Sequence, residues 1–414
     1  MNCLWISRDQ PFPPDAGDKI YSASLANALA EAGAAVSFLG FAATAGKPPT
    51  DSAVRWLPVT GAKHSQGRAL FSMLPIAGAI HNTAAYRRAL DAQLQEKWDA
   101  IVFDSYGSGW ALKRYLATRR PLGGAAPVLV HVSHNQEGVL WRDMVRNSQA
   151  GPLKKLALSQ NWLKVAALER FILHHVDLTT AISSEDATAF RAVAPERSTV
   201  VLTPGYSGTR QAARVIDGAC PKRVVLIGSF RWVVKQENLR QFLELADAAF
   251  HRHGIAFDVI GDVPETLRAE LAPRLKATVF HGFVDDVAPY FAGARLAVVP
   301  EVIGGGFKLK FLDYIFSRLP VATIAAAAAG LPSGIRSKLL CSADLAGLVA
   351  AIVSHIDRLD VLNDMQQGAF AAAGQLFDWR ERGSNLRDAI VTCQQARAGA
   401  QASRRESGYR MEAS

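Results

Sequence analysis

Short apolar runs alternate with longer amphipathic stretches along most of the chain. Near-continuous apolar runs at 3–7, 35–41, 100–104, 127–132 and 178–182 predict strands, and helical patterns lie between them, the first at 20–32. Such runs are too short to be long buried helices and lack polar alternation. They fit strands of a parallel sheet whose two faces are both covered by helices. The pattern pauses in a polar, glycine-containing stretch, 204–220, and then restarts with apolar runs at 223–228, 256–261, 278–280, 296–300 and 321–324. The predicted fold is therefore α/β, with two doubly wound parallel sheets in succession. The predicted domains are 1–205 and 206–385. A closing helix at 383–398 and a frayed, disordered tail from 398 complete the final segment, 386–414.

Composition narrows the function classes. A chain of 414 residues accommodates two ordinary domains, and 49% apolar with 20% charged residues fits packed cores. The net charge of +9 is modest for this length, and a local basic stretch lies at 142–170. That is a patch, and no nucleic-acid partner is expected. Cys3, Cys220, Cys341 and Cys393 stand far apart, with no CxxC pair and no histidine cluster at metal spacing. This predicts neither a disulfide framework nor a metal site, and a reducing, cytoplasmic compartment. The opening MNCLWISRDQPFPPD lacks the basic leader and long apolar core of a signal peptide. The longest apolar run, 319–332, falls short of the roughly 20 residues a membrane span needs. Any membrane contact is expected to be peripheral.

Open α/β sheets bind ligands beyond the C-terminal ends of their strands, and the candidate chemistry of this chain lies at such ends. Gly304, Gly305 and Gly306 separate the predicted strand 296–300 from an amphipathic helix. Glycines at a strand-to-helix junction let the backbone approach a ligand and aim N–H groups at it. Lys308 and Lys310 fall in the first turn of the predicted helix, so the segment predicts a phosphate or pyrophosphate site. Phe307, Phe311, Leu312, Ile315, Phe316 and Leu319 form the apolar face of that helix, with Lys310, Asp313, Tyr314 and Ser317 opposite. Asp313 either accepts hydrogen bonds from a ribose diol or forms a surface ion pair with Lys310.

Lys235, with Arg231 four residues earlier, follows the predicted strand 223–228. A basic pair there can neutralise a leaving diphosphate. His134 follows the strand 127–132 and can hydrogen-bond a sugar hydroxyl or take a proton, whereas His131 inside that strand reads as core. Asp285 and Asp286 read as a helix N-cap rather than a metal-binding DxD. GxGxxG, GxxxxGK[ST] and GxSxG are all absent, which removes the main support for a dehydrogenase, a P-loop ATPase or a serine hydrolase. The apolar segment 70–80, LFSMLPIAGAI, is flanked by Arg68, Arg87 and Arg88. With Lys154, Lys155, Lys164 and Arg170 it fits an anionic membrane surface or a lipid-linked acceptor; an ordinary buried helix fits equally.

The order and spacing of these segments resemble glycosyltransferase family 4. WISRDQPFPPDAGDKIYSASLANALAEAGAAVSFLGF is similar to that family's opening strand, Pro/Gly loop and first helix. SHNQEGVLW is similar to its histidine-bearing loop, and TAISSED to the element that closes its first domain. FDVIGDVPE, FHGFVDDVAPYFAGARLAVVPE and GGGFKLKFLDYIFSRLPVATI follow its second domain in order, and 377–379 resembles the aromatic stop before its last helix. The resemblance covers residues 3–387.

It implies the GT-B architecture, two Rossmann-like domains facing a central cleft, and retaining transfer from a nucleotide-diphosphate sugar without a metal or other cofactor. The implied donor site holds Gly304, Gly305, Gly306 and Lys308 at the diphosphate, Lys235 and Lys310 alongside, and Asp313 at the ribose. Gly17 and His134 would face the sugar from the first domain. The implied acceptor is a glycan or lipid-linked intermediate at the inner face of the membrane. Two departures stand out. The family's Glu-x7-Glu donor signature falls on Gly305 and Asp313, with Glu301 upstream, and its usual arginine falls on Ser229, leaving Arg231 as the substitute. These departures keep open a weakly active or inactive member and a non-catalytic sugar-nucleotide-binding partner; a nucleotide-sugar epimerase of similar architecture is a separate alternative.

Overall fold

A computed structural model describes residues 1–14, 16–42, 49, 52–118, 126–148, 151–304 and 306–412, with side chains through 399. The chain divides into two units, one formed by Met1–Pro204 with Asp378–Ser414 and the other by Gly205–Phe377.

The first unit is built on β1 (Asn2–Asp9), β2 (Ala35–Phe41), β3 (Arg55–Val59), β4 (Ala100–Asp104), β5 (Val128–Val132), β6 (Leu178–Ala181) and β7 (Ser198–Val201). Their order across the sheet is β3-β2-β1-β4-β5-β6-β7, and every neighbouring pair is parallel. The order reverses between β1 and β4, the point where an open α/β sheet leaves a crevice beyond its strand ends. β4 and β5 are buried along their whole lengths, which is why their sequences read as unbroken apolar runs. Leu4, Ile6, Ile101 and Phe103 pack with Trp110, Leu168 and Ile172 from the covering helices into one core.

The second unit repeats the plan with β8 (Arg223–Ile227), β9 (Ala256–Ile260), β10 (Thr278–Gly282), β11 (Leu296–Val299), β12 (Val321–Ile324) and β13 (Leu340–Ser342). The order is β10-β9-β8-β11-β12-β13, again parallel throughout, with its reversal between β8 and β11. The expected α/β class, with two Rossmann-like doubly wound sheets, is the observed one. Three strands carry no apolar run. β3 is an edge strand containing Pro58, β7 is an edge strand with no buried residue, and β13 is a three-residue edge. Edge strands are short and half-solvated, so burial imprints little pattern on them.

The closing helix differs from expectation. It begins at Trp379 rather than 383 and runs to Glu412, so residues expected to form a frayed tail are helical. Its alanine, glutamine, arginine and glutamate content favours that state. Its start belongs to the first unit, and the second unit ends at Phe377 instead of 385. Gly383 sits against the helix Gly17–Glu31, where a Cβ would come within 2.1 Å of the Ala28 carbonyl oxygen. Arg382 Nε donates to the Thr203 carbonyl at 2.9 Å, and Arg387 Nη1 to the Ala32 carbonyl at 2.9 Å. These contacts fasten the final helix to the first unit's own helix and chain end.

Candidate active site

In the second unit the candidate residues gather where β8 and β11 end. All four residues of β11 are buried, and the strand leads through Pro300 to Glu301, itself buried. The next loop is held by Asn238 from the helix Val233–Arg252. Its Nδ2 donates to the Ile303 carbonyl at 2.7 Å, while its Oδ1 accepts from the Val302 and Ile303 amides at 3.0 Å each. A buried asparagine satisfied in this way fixes the loop's path. Gly304 (φ +139°) and Gly306 (φ +66°) then take backbone conformations that side chains disfavour. Gly305 lies outside the described residues.

The helix expected to follow the glycines directly begins later and is short, Lys310–Phe316. Lys308 therefore belongs to the loop, where its Nζ donates to the Gly304 and Gly306 carbonyls at 3.4 and 3.2 Å. Lys310 opens the helix and pairs with Glu301, Nζ to Oε1 2.6 Å, instead of with Asp313. Both side chains of that pair are nearly buried. Burial pushes the Glu301 carboxyl up, but Lys310, Lys308 and Lys235 together hold it down at about 2. Three ammonium groups thus converge on one carboxylate, and the positive charge comes from side chains rather than from a helix end.

Tyr314, expected on the polar face, is buried, and its hydroxyl accepts from the Ile227 amide at 2.8 Å. This bond ties the short helix to the end of β8. Burial pushes the Asp313 carboxyl up to about 7, with Lys310 only partly opposing it. The Tyr206 phenol, pushed up to about 12 by burial and then by Asp313, lies nearby and stacks on Phe316 at 4.7 Å between ring centres.

Lys235 sits in the first turn of the helix Val233–Arg252, and Arg231 just before it ion-pairs with Asp262 beyond β9. The loops after β8 and β9 meet backbone to backbone. At Gly261 (φ +122°) a Cβ would fall 1.8 Å from the Gly228 carbonyl oxygen, so no side chain fits. A Cβ at Gly228 would in turn lie 3.4 Å from Lys310 Nζ, which places the lysine cluster against the β8 end.

The first unit has its own strand-end constellation. Asp104, the fully buried last residue of β4, accepts from Trp5 Nε1 at 2.9 Å through Oδ2 and lies 2.6 Å from His134 Nε2 through Oδ1. Burial alone would lower the pKa of His134, but Asp104 raises it above its ordinary value. Asp104 is likewise lowered despite burial, by His134 and then by bonds from Trp5 and Ser22. The imidazolium and carboxylate favour each other's charged forms. His131 is the opposite case, driven by burial down to about 4 and tied to the Phe103 carbonyl at 3.0 Å. It is a neutral core histidine.

A small cleft of about 40 Å³ beside this pair is lined by Arg8, Asp9, Asp18, Ser105 and His134 among others, with Arg8 and Asp18 ion-paired at 2.9 Å. Gly17 is the exposed first residue of the helix Gly17–Glu31, next to Asp18. Beyond His134, the helix Glu137–Asn147 is anchored by Glu169, which accepts from the Glu137 and Gly138 amides at 2.6 and 3.0 Å.

Asp286 accepts from the Ala288 amide at 2.8 Å at the start of the helix Ala288–Ala292, which is a structural role. Among the described residues no group of three His, Cys, Asp or Glu side chains could hold a metal ion. No helix among them is long and apolar enough to cross a membrane. Asp104, Asn238 and Glu301 are the polar residues that sequence reasoning did not assign. The one local hint was a carboxylate ending each of two apolar runs, after 100–103 and after 296–300.

Two parallel-sheet units with polar strand ends are the architecture of GT-B glycosyltransferases, and two family models match the chain in succession. Residues 17–205 match the glycosyl transferase 4-like domain, and residues 221–358 match glycosyl transferases group 1. The chain thus carries a glycosyl transferase 4-like domain followed by a glycosyl transferases group 1 domain, and is a glycosyltransferase. Among solved structures it is similar to sucrose-phosphate synthase from Thermosynechococcus elongatus, with a TM-score of 0.70 and 17% identity over 96% of this chain and 100% of that one. It is also similar to WaaG, a glycosyltransferase involved in lipopolysaccharide biosynthesis, with a TM-score of 0.65 and 16% identity over 93% and 99%. A structure of Anabaena HepE in complex with UDP and glucose gives 0.61 and 13% over 95% and 100%. At these identities the likeness shows the fold alone. No curated protein sequence matches the chain significantly.

Proposed function

We propose that this enzyme transfers a sugar from a nucleotide-diphosphate sugar, bound by the second unit, to a glycan or lipid-linked acceptor bound by the first. The observation that carries this reading is the convergence of Lys235, Lys308 and Lys310 on Glu301 beside the glycine loop. The three lysines act together as the positive charge offered to the diphosphate. Negative charge grows on the leaving diphosphate as the glycosidic bond breaks. Ammonium groups already in place stabilise that state without reorganising.

Gly304 and Gly306 border the phosphates, Asp313 accepts from the ribose, and Arg231 stands at the rim beside Asp262. Gly17 and His134 are the first unit's own candidates for sugar recognition. With protein cations at the phosphate, the proposed reaction needs no metal, and retention of configuration is what the family resemblance implies. UDP and UDP-glucose are the donors to test first, since HepE structures carry UDP and UDP-glucose. The acceptor reading places the enzyme in polysaccharide assembly at the inner face of the membrane, in peripheral contact with anionic lipid. Glycine at 305, where the family signature has glutamate, favours as a second reading a partner that binds sugar nucleotide without turning it over.

Incubating purified protein with UDP-glucose and other nucleotide sugars, with and without EDTA, separates these readings. Release of nucleoside diphosphate that survives EDTA supports the proposal. Loss in EDTA with rescue by Mg²⁺ removes its metal-independent part. Thermal stabilisation by the sugar nucleotide with no turnover across candidate acceptors supports the non-catalytic partner. Isomerised sugar formed without any acceptor identifies an epimerase.

A further inference from the structure

The first unit contains a second, larger cavity of about 390 Å³, lined by His64, Arg68, Phe71, Ser72, Asn82 and Arg87 together with two alanines. It opens between the helix Gln66–Leu70 and the helix Ile76–His81, the segment that sequence patterning left open between a buried helix and a lipid-facing surface. No carboxylate lines it. Arg87 is preset, its Nη1 donating to both the carbonyl and the Oδ1 of Asn82 at 3.1 Å. Neither Arg68 nor Arg87 has an ion-pair partner among the described residues. Two guanidinium groups with an imidazole and a serine hydroxyl around one concavity form a site for a phosphate-sized anion.

The rim of this cavity is apolar and exposed. Phe71 and Met73 are each 92% exposed, in a loop tethered at both ends to the helix Pro152–His175. Lys164 Nζ donates to the Leu70 carbonyl at 2.9 Å, and the Ile76 amide donates to Asn161 Oδ1 at 2.8 Å. The same helix exposes Leu153 and Leu156 next to Lys154 and Lys155. Large side chains held out into water by a braced loop, beside lysines and a cationic cavity, match the interface of a bilayer with its phosphates. Asp9 links this region to the strand-end cleft, pairing with Lys63 at 2.5 Å and His81 at 3.3 Å while lining the cleft that holds His134.

We propose that this cavity binds the phosphate of a lipid-linked acceptor, with Phe71 and Met73 entering the hydrocarbon and the acceptor's reactive end directed toward the His134 cleft. The proposal rests on the reading of the first unit as the acceptor-binding unit.

The test measures co-sedimentation of the full chain with phosphatidylcholine vesicles carrying either phosphatidic acid or phosphatidylserine at equal surface charge, with inorganic phosphate as competitor. The expected result is preference for phosphatidic acid. Binding should fall about tenfold or more in Arg68→Ala/Arg87→Ala, and fall as well in Phe71→Ser/Met73→Ser. UDP-glucose binding, read as thermal stabilisation in the same samples, should be unchanged in both variants, which also shows that they fold. Equal binding to both lipids, or unaltered binding by the arginine variant, overturns the proposal. Arginine-dependent binding that is abolished by inorganic phosphate and indifferent to the Phe71 and Met73 changes identifies a soluble phosphate ligand and overturns the lipid assignment. Loss of UDP-glucose binding by the wild-type chain strikes the donor reading alone.

Discussion

Lys310 Nζ lies 2.6 Å from Glu301 Oε1, and the two side chains are only 10% and 8% exposed. Removing one partner of such a pair strands a charge in a poorly hydrated site, which costs about 3–5 kcal/mol. Glu301→Gln and Lys310→Met should each lower the urea stability of the second unit by amounts in that range. The double variant should lie closer to wild type than either single one. Acid should act in the same direction. The Glu301 carboxyl is held at about 2 against an ordinary 4.5. Its stabilising contribution is therefore present above its ordinary value and lost as pH falls from about 4.5 toward 2. Unfolding midpoints measured across that range should decline more steeply in wild type than in Glu301→Gln. Parallel curves would show that the pair contributes nothing to stability.

Lys235 and Lys308 are predicted to serve the leaving group. Lys235→Ala and Lys308→Ala should each reduce kcat/KM by an amount corresponding to about 2–4 kcal/mol. Their signatures should differ. Lys308 also bonds the Gly304 and Gly306 carbonyls, so its loss loosens the loop and raises KM as well as lowering kcat. Lys235 stands on the helix Val233–Arg252, outside the glycine loop, so its loss should leave that loop in place and appear mainly in kcat. Steady-state kinetics on both variants checks the split, and unchanged rates in both would remove the diphosphate from this loop.

How much of this was legible without coordinates depends on the physical source of each signal. β4, β5 and β11 were legible because burial on two faces demands apolar residues at every position. β3, β7 and β13 were not, because an edge strand demands so little. Gly304, Gly306 and Lys308 were legible as a cationic loop, and Lys235 as a cation after β8, because glycine runs and lysines near strand ends are local signals. The partner of Lys310 was not. Asp313 lies one helical turn away in sequence, whereas Glu301 is reached only because the loop folds back and the helix starts at Lys310. Asn238 and Asp104 look like ordinary residues of a helix and a strand end, and their roles exist only in the packed fold.

Asp313 supplies a pH dependence near neutrality. Burial holds its carboxyl up to about 7, so below that value it is mostly protonated and cannot serve as an ionised acceptor for two ribose hydroxyls. Affinity for UDP-glucose, whose diphosphate diester does not titrate in this range, should rise as pH increases from 6 to 8. Asp313→Asn should flatten that rise and bind more weakly at pH 8. The stability linkage has the opposite sense. A carboxyl whose folded value is raised loses stability as pH climbs from about 3.8 through 7, so Asp313→Asn should make the unliganded protein more stable than wild type at pH 8. Calorimetric titration and thermal unfolding on the same samples check both. A pH-independent affinity in wild type would take Asp313 out of the nucleotide site.

The Asp104–His134 pair makes a prediction in the first unit that does not depend on donor chemistry. Two neighbouring histidines, His131 and His134, are both in poorly hydrated positions, yet one is driven to about 4 and the other is raised. The difference is the Asp104 carboxylate, 2.6 Å from His134 Nε2. His134 therefore contributes stability below its ordinary value of 6.5, and that contribution disappears as pH rises through its raised folded value. Asp104, lowered by the same pairing, contributes above its ordinary 3.8 and loses that contribution as pH falls through its depressed value. Between these limits both groups are charged and the pair is intact. Asp104→Asn keeps the shape and removes the charge, leaving burial to dominate at His134. Its imidazole should then titrate below 6.5 instead of above it, which side-chain NMR of the two histidines resolves directly. Trp5 Nε1 still finds an oxygen on the asparagine, so the fold should persist while the acid–base range of any His134-dependent transfer shifts toward lower pH. An unchanged His134 titration in this variant would mean that another group holds the imidazolium, and Asp104 would then be only a buried partner of Trp5.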